Sequence, residues 1–384
     1  MNVKELDVIV VGGGMGGCAA ALLLARAGAR VTIVERVARP EGVGAGIALA
    51  ANGLAVLESL GLTPALASAR PALAPRITDA RERTLLTPPD TTPRIALLRR
   101  ATLLGVLLDA LAAEGRITRR FGTTLVRVTP DGDVIVRDAD GDHAMHADLV
   151  IGADGVHSRV RECGAFGAKV HGTGIRYLRA LVAEGFATGV EAWTSVGLFG
   201  AFAVDGGTYV YASCCSRPCR DALQRRDLEA LRAAWGKAYP PAARVLGAVD
   251  RFSDLIVNEV QRVECQRWSD GALVLLGDAA HAMAPNLGQG ANSAFVDAAV
   301  LLDELRRAPA LGQALAAYER RRRPAVTRVA TAAGRLGRLA DATHPVVRAI
   351  RPQVLRLAGR FDGARSAAMV LQEAPATLVA IGRA

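Results

Sequence analysis

Residues 6–35 read LDVIVVGGGMGGCAAALLLARAGARVTIVE, and their order decides the fold. Residues 6–11 are a short, almost wholly apolar run, the pattern of a strand buried on both faces of a parallel sheet. GGGMGG follows at once, then CAAALLLARAG, a helix closed by Gly28, then RVTIVE, a second buried strand. The unit is βαβ. Gly12-x-Gly14-x-x-Gly17 lies between strand and helix, the spacing of a dinucleotide fingerprint. Glycines there permit a tight turn, close backbone approach to a pyrophosphate and close helix–strand packing, while free helix N–H groups face the phosphates. Glu35 ends the second strand, where a carboxylate can accept both ribose hydroxyls of an adenosine. Glycines alone would mark only a flexible turn; strand, helix and Glu35 in register make the signal specific.

The 384 residues suit one large domain or two interleaved ones, and 51% are apolar, enough for a sizeable core. No apolar run reaches the roughly 18 residues of a membrane span. The first residues enter a strand without a charged segment, an apolar stretch or a cleavage site, so a cytoplasmic location is expected. Cysteines 18, 163, 214, 215, 219 and 265 show no CxxC spacing and no histidine at ligand spacing. Free thiols and no metal are the expectation. The formal charge is +10, and only three of 47 basic residues are lysine. From 320 to 360 eleven arginines face one acid, Asp341. A solvated face of C-terminal helices is the plainer reading, a patch for anionic lipid or another partner the sharper one. Aromatics, at 4%, are too sparse for a base-stacking surface, so no nucleic acid is expected.

Further along, 45–62 reads as a turn and an amphipathic helix, 70–98 as loop and short strand, and 99–115 as a helix. Strands follow through 128 and at 134–137, and DADG marks a hairpin turn. Residues 148–162 are a buried strand ending in a second glycine turn. Between 166 and 268 the character changes: GLFGAFAV and GGTYVYASCC alternate as an antiparallel sheet with one wet face would. GALVLLGDAA then returns to the buried-strand pattern, and helices close the chain. The expected class is α/β: a Rossmann-like cofactor domain (1–71, 99–165 and 269–330) interleaved with a β-rich substrate domain (72–98 and 166–268), plus a C-terminal helical region (331–384).

Three glycine–acid turns, GGGMGG, GADG and LGDAAH, follow buried strands. Such turns converge on the crevice at the strand C-termini of an open α/β sheet. A pyrophosphate on the first helix and a polyol near Asp278 fit FAD better than NAD. At these residues the chain resembles the class A flavoprotein monooxygenases of the para-hydroxybenzoate hydroxylase type. The resemblance rests on Gly12–Gly17 with Glu35, on Asp154–Gly155 within GADGVHSRVR, on Gly277–Asp278 within GDAAHAMAPNLGQGAN, and on Arg100 with Leu103. It extends to about residue 330.

The resemblance implies that FAD is held by Gly12, Gly14, Met15, Gly16, Gly17, Glu35, Arg36, Gly46, Arg100, Val126, Asp154, Asp278, Pro285, Gly288, Gly290, Ala291 and Asn292. Glu35 would hold the adenosine ribose, with Arg36 beside the adenine. Arg100 would reach the phosphate and ribityl region, and Asp278 the pyrophosphate–ribityl region. Pro285 would border the flavin, and backbone N–H groups from Gly288 to Asn292 would face the negative charge of the reduced ring. NADPH or NADH would visit as electron donor without a domain of its own. O2 addition to the reduced flavin would give a C4a-hydroperoxide that hydroxylates an aromatic or heteroaromatic small molecule. A reductase, dehydrogenase or halogenase of the same fold is the alternative, and a non-catalytic flavin-binding protein a further one.

Four points stay open. His281, three residues after Asp278, could be a base, but the resemblance makes it part of the motif; Asp154 with His157 likewise reads as scaffold. On 207–214 the pocket-facing residues are either Tyr209 and Tyr211, the weak catalytic candidates, or Val210 and Ala212, and period two cannot choose. No Arg or Lys occurs from 190 to 216, which leans toward a neutral or larger apolar-aromatic substrate, although Arg176 and Arg179 could supply charge. The C-terminal helices, split near His344–Pro345, read as packing on the cofactor domain, with membrane contact or a homodimer as the alternatives.

Overall fold

The computed structural model describes residues 1–41, 46–88, 94–358 and 369–384. Its first sheet has six strands, in the order Ser269–Asp270, Leu273–Leu275, Leu149–Gly152, Asp7–Val11, Arg30–Glu35, Ile117–Phe121. All pairs are parallel except the antiparallel edge strand Ser269–Asp270. Val8, Val10, Ile33, Val150 and Leu275 are buried in it, which is why these strands read as continuous apolar runs rather than alternating ones. Helix Met15–Arg26 lies between this sheet and helix Gly290–Arg307. A Cβ on Gly16 would come 2.8 Å from that of Ala294, so glycine sets how closely the two helices approach.

The second sheet has seven strands, in the order Ile256–Glu264, Lys169–Val182, Gly207–Cys214, Leu198–Val204, Val190–Trp193, Arg76–Asp79, Thr84–Leu86. The alternation in this region suggested a sheet with one wet face. Instead, helices Arg217–Arg225, Leu228–Ala238 and Pro240–Gly247 cover the face bearing Leu178, Val210 and Ala212. Their apolar residues include Trp235 and Tyr239, whose rings pack 5.3 and 5.9 Å from Phe199. Alternation identifies an apolar face but not the element that buries it. Residues 46–49, expected in a turn, form a strand paired with Ile95–Arg99.

The C-terminal helices divide their contacts between the two sheets. Helix Leu311–Ala340 runs unbroken past residue 331 and contains Pro324. Helix Pro345–Ala358 closes over the substrate sheet: Leu355 packs with Tyr177, Trp193 and Leu198, and Arg351 donates to the carbonyl of Trp193 at 2.9 Å. Helix Pro375–Arg383 returns to Ala51–Ser59 and Gly290–Arg307 on the cofactor side. Part of the arginine cluster is internal cement rather than a free patch. Arg321 bonds Asp303, Glu304 and Glu373, Arg322 bonds Asp297, and Arg323 bonds Glu319. Apart from Glu319, one turn before Arg323, the acids come from other segments, so the local charge count overstated what is exposed. Among the described residues no helix is long and apolar enough to cross a membrane.

Candidate cofactor and substrate site

The three turns meet at the C-terminal edge of the parallel sheet. Gly12 has φ +110°, and a Cβ there would lie 2.4 Å from the carbonyl oxygen of Ala153, so the first turn rests on the second. A Cβ on Gly17 would lie 1.9 Å from the Gly12 oxygen. Both positions require glycine to seat the helix against the strand. Gly14 is different: among the described residues nothing lies within 4 Å of its Cβ position, and no side chain caps the helix that Met15 begins. Glu35 accepts N–H bonds from Gly13 at 2.7 Å and from Val37 at 2.9 Å, one on each oxygen. Each carboxylate oxygen keeps further acceptor capacity for a diol. Arg36 beside it is exposed, and Val126 presents a carbonyl that accepts both Nε and Nη2 of Arg159 at 3.2 Å.

Asp154 caps the short helix that follows it, its Oδ2 accepting from Arg159 N at 2.7 Å and Val160 N at 3.2 Å. Its Oδ1 is buried without a partner among the described residues, and burial pushes the carboxyl pKa up against those bonds. His157 plays no part in this arrangement, so the pair is not a dyad.

The third turn settles the role of His281. Gly277 has φ +59°, and its N–H donates to Asp297 Oδ2 at 2.9 Å. His281 Nε2 lies 2.6 Å from the same oxygen, and its ring packs 5.0 Å from Trp268. Arg322 Nε donates to Asp297 Oδ1 at 2.8 Å. Burial alone would raise the Asp297 pKa, but His281 and Arg322 overcome it and hold the group at about 2. An ionised carboxylate only accepts, so Nε2 carries the proton. His281 is thus a buried strut that fixes the turn.

Asp278, by contrast, stays exposed in the crevice. Its charge acts on Arg100, which opens helix Arg100–Ala113. The Arg100 pKa is lowered chiefly by the protein crowded around it and secondarily by Arg179, while Asp278 opposes the shift. Beyond Asp278 come the turn Pro285–Leu287, then Gly288 at φ +62°, then helix Gly290–Arg307. The Asn292 side chain is spent on neighbouring loops, accepting from Ala50 N at 3.0 Å and donating to Ala48 O at 3.0 Å and Gly288 O at 2.8 Å. The first N–H groups of the helix, at Gly290, Ala291 and Asn292, have no intrahelical acceptor. A helix N-terminus with an open Cβ position, a strand-end carboxylate, an arginine and an exposed aspartate form a donor and acceptor set that fits FAD.

The strand register resolves the choice left open on 207–214. Val210 and Ala212 face the helical layer, so Tyr209 and Tyr211 face the crevice. Tyr209 packs on Gly46, where a Cβ would come 2.4 Å from the ring, and it feels the charges of Arg179 and Arg100. Arg179 pairs with Tyr211 across the strands, whereas Arg176 pairs with Cys214 and lies on the helical side. The wall therefore carries a cation through Arg179, one of the two arginines the sequence left open. Its cation comes from 169–182, outside the stretch that lacks Arg and Lys. Arg179 donates to Asn258 Oδ1 at 2.6 Å. Asn286 Nδ2 donates to Tyr177 OH at 3.1 Å, tying the 285–287 turn to this wall. Sequence reasoning missed Tyr177 and Glu191, which only the register of distant strands could have found, and Asn286, whose partner Tyr177 lies on one of those strands. Among the described residues no group of three or more His, Cys, Asp or Glu could hold a metal ion.

Fold and crevice define a flavin-dependent oxidoreductase. A family model described as an FAD binding domain matches residues 5–333, and the chain belongs to that family. It is 33% identical to a 3-amino-4-hydroxybenzoate 2-monooxygenase of Streptomyces cremeus, over 89% of this chain and 88% of the relative. It is 31% identical to a probable 2-heptyl-3-hydroxy-4(1H)-quinolone synthase of Rhodococcus erythropolis, over 84% of this chain and 86% of that protein. A solved variant of 2-methyl-3-hydroxypyridine-5-carboxylic acid oxygenase superposes with a TM-score of 0.78 at 24% identity, covering 94% of this chain and 98% of its own. That likeness concerns the fold. The chain is an FAD-dependent aromatic monooxygenase that draws electrons from NAD(P)H.

Proposed function

We propose that FAD lies along the crevice with its pyrophosphate at Gly14–Met15, its adenosine ribose on Glu35 and its ribityl chain between Arg100 and Asp278. The flavin ring then lies between Pro285–Asn292 and Tyr209, and the free N–H groups at 290–292 offset negative charge on the reduced ring. Once reduced by NAD(P)H, bound FAD supplies the activated oxygen atom that is transferred to an electron-rich ring. The protein's part is to seat that ring on the wall of Tyr209 and Tyr211, exclude water and orient the substrate. In this reading residues 1–71, 99–165 and 269–330 serve the cofactor and 72–98 with 166–268 the substrate. The helix at 345–358 roofs the substrate side. Dependence on NAD(P)H and six free cysteines favour a cytoplasmic location.

The observation that carries the substrate class is Arg179, a cation on the aromatic wall beside Tyr209 and within electrostatic reach of Arg100. We assign the substrate as a hydroxylated aromatic ring whose ionised oxygen faces Arg179. Arg179→Ala should raise KM for such a substrate about 10- to 100-fold, the worth of one charge-assisted hydrogen bond, at unchanged flavin content. NAD(P)H oxidation and product formation, followed together over a panel of phenols and aromatic acids, test both statements. A yellow protein whose NAD(P)H oxidation no aromatic compound stimulates would sink the reading.

A further inference from the structure

A segment from near the end of the chain is built into the cofactor domain behind the helix that starts at Gly290. Residues 370–373 lie past residue 333, where the match to the family model ends. Gln372 stands at φ +63°, left-handed backbone that a residue other than glycine adopts only at a cost. Its amide is used at both ends. Arg322 Nη2 donates to Oε1 at 2.7 Å, while Nε2 donates to Ser293 Oγ at 2.9 Å and to Gln289 Oε1 at 3.3 Å. A guanidinium only donates, so the amide oxygen must face Arg322 and the nitrogen the other two. Asn52 joins the same network, its Nδ2 donating to Gln289 Oε1 at 3.3 Å and to the carbonyl of Leu371 at 3.0 Å. Asn52, Ser293 and Arg322 are fully buried, and Gln289 is 3% exposed.

Gln289 and Ser293 stand four apart, so they lie one above the other on a single helix face. Ser293 N donates to Gln289 O at 2.8 Å, the first hydrogen bond of helix Gly290–Arg307. The Gln372 amide therefore holds both ends of the first turn. The N–H groups that this turn leaves free are those of Gly290, Ala291 and Asn292, and any tilt of the turn re-aims all three. Fastening the segment does not itself require the amide. Glu373 takes Nε and Nη2 of Arg321 at 2.8 and 3.1 Å, and Leu378 and Ile381 are buried in the core of the cofactor domain. A strained residue kept where its neighbours already anchor the chain points to what its side chain positions.

We propose that Gln372 is a positioning residue for the flavin. By fixing Gln289 and Ser293 it aims the helix-terminal N–H groups at the ring, and so sets how much more tightly the protein holds reduced than oxidised FAD. Donors aimed where negative charge accumulates favour the reduced form, and misaligned donors favour it less. The end of the chain thus tunes the cofactor's potential from behind the crevice, without touching the cofactor. The inference rests on the placement of the ring beside Pro285–Asn292.

The test uses the full chain loaded with FAD and needs no substrate. Its two-electron midpoint potential is measured against a reference dye, beside that of free FAD. The wild type should lie above free FAD. Gln372→Met keeps the length of the side chain and removes the amide. Its preference for the reduced form should fall about 10-fold, a drop of about 30 mV for two electrons. Ser293→Ala keeps the bond between Gln372 and Arg322, and so decides the question if the first variant folds poorly. It should lower the midpoint in the same direction by about 15 mV, a threefold change. Glu373→Ala loosens the segment without touching the amide, and should lower the thermal midpoint of unfolding while leaving the potential in place. An unmoved potential in Gln372→Met or Ser293→Ala, or an equal drop in Glu373→Ala, overturns the positioning role alone. A wild-type potential at or below that of free FAD overturns the placement of the ring at this helix end, and the inference with it.

Discussion

Asp297→Ala should lower the free energy of unfolding by about 3–5 kcal/mol, the usual loss when one partner of a buried ionic cluster is removed. The side chain is fully buried and makes three bonds, to Arg322, His281 and the N–H of Gly277. Its removal leaves a fully buried guanidinium whose Nη1 has no partner among the described residues and whose Nη2 donates to Gln372 Oε1 at 2.7 Å. It also frees a turn held at φ +59° by that N–H bond. The effect depends on pH with a definite sign. The folded-state pKa, about 2, lies below the ordinary 3.8. The contribution is therefore complete above the unfolded value and is lost as pH falls through the folded one. Roughly 2 kcal/mol of the difference between wild type and variant should disappear on acidification across that window. Urea unfolding of the FAD-free chain at neutral and at acidic pH measures both quantities. A loss below about 1 kcal/mol at neutral pH would mean that the cluster does not hold the third turn. Asp297→Asn keeps the volume but not the charge, and its stability should show no such acid dependence.

The same cluster shows why some of the site was legible and some was not. The first turn could be read because strand, glycines, helix and Glu35 occupy thirty consecutive residues and each constrains the next. The function of His281 could not be read from its neighbours, since its partner Asp297 belongs to the following helix and the third member, Arg322, to the one after that. The substrate wall was harder still. Period two in 207–214 fixes which residues share a face but not which face is covered. That depends on three helices at 217–247 whose docking leaves no periodic mark on the strands. Arg179 and Tyr211 meet only because two strands pair in one register, and Glu191 reaches Tyr211 only across a third. Charge composition misled for the same reason. Arg321, Arg322 and Arg323 look unopposed in sequence, yet their acids lie in other segments, apart from Glu319 one turn earlier.

Gly14→Val should give a folded protein that has lost FAD, and it separates cofactor binding from folding more cleanly than any other glycine of the first turn. Gly12→Val and Gly17→Val would drive a Cβ within 2.4 Å of the Ala153 oxygen and 1.9 Å of the Gly12 oxygen, so either would disturb the fold itself. Gly14 has φ −76° and ψ −179°, extended backbone that any residue adopts, and among the described residues nothing comes within 4 Å of its Cβ position. Valine there should cost at most about 1 kcal/mol, the difference between glycine and an apolar side chain at a helix N-cap. The two added methyl groups would occupy the space through which a pyrophosphate approaches the free N–H groups of the helix. An affinity loss of at least about 100-fold is expected, near 2.7 kcal/mol. Flavin absorbance per mole of protein after desalting reads the loss. The thermal midpoint with and without added FAD shows that the fold survives while the ligand-induced rise disappears. A variant that stays yellow at wild-type affinity would remove the pyrophosphate from this helix terminus. A variant that fails to fold would show that the open space at Gly14 is closed by something other than a ligand.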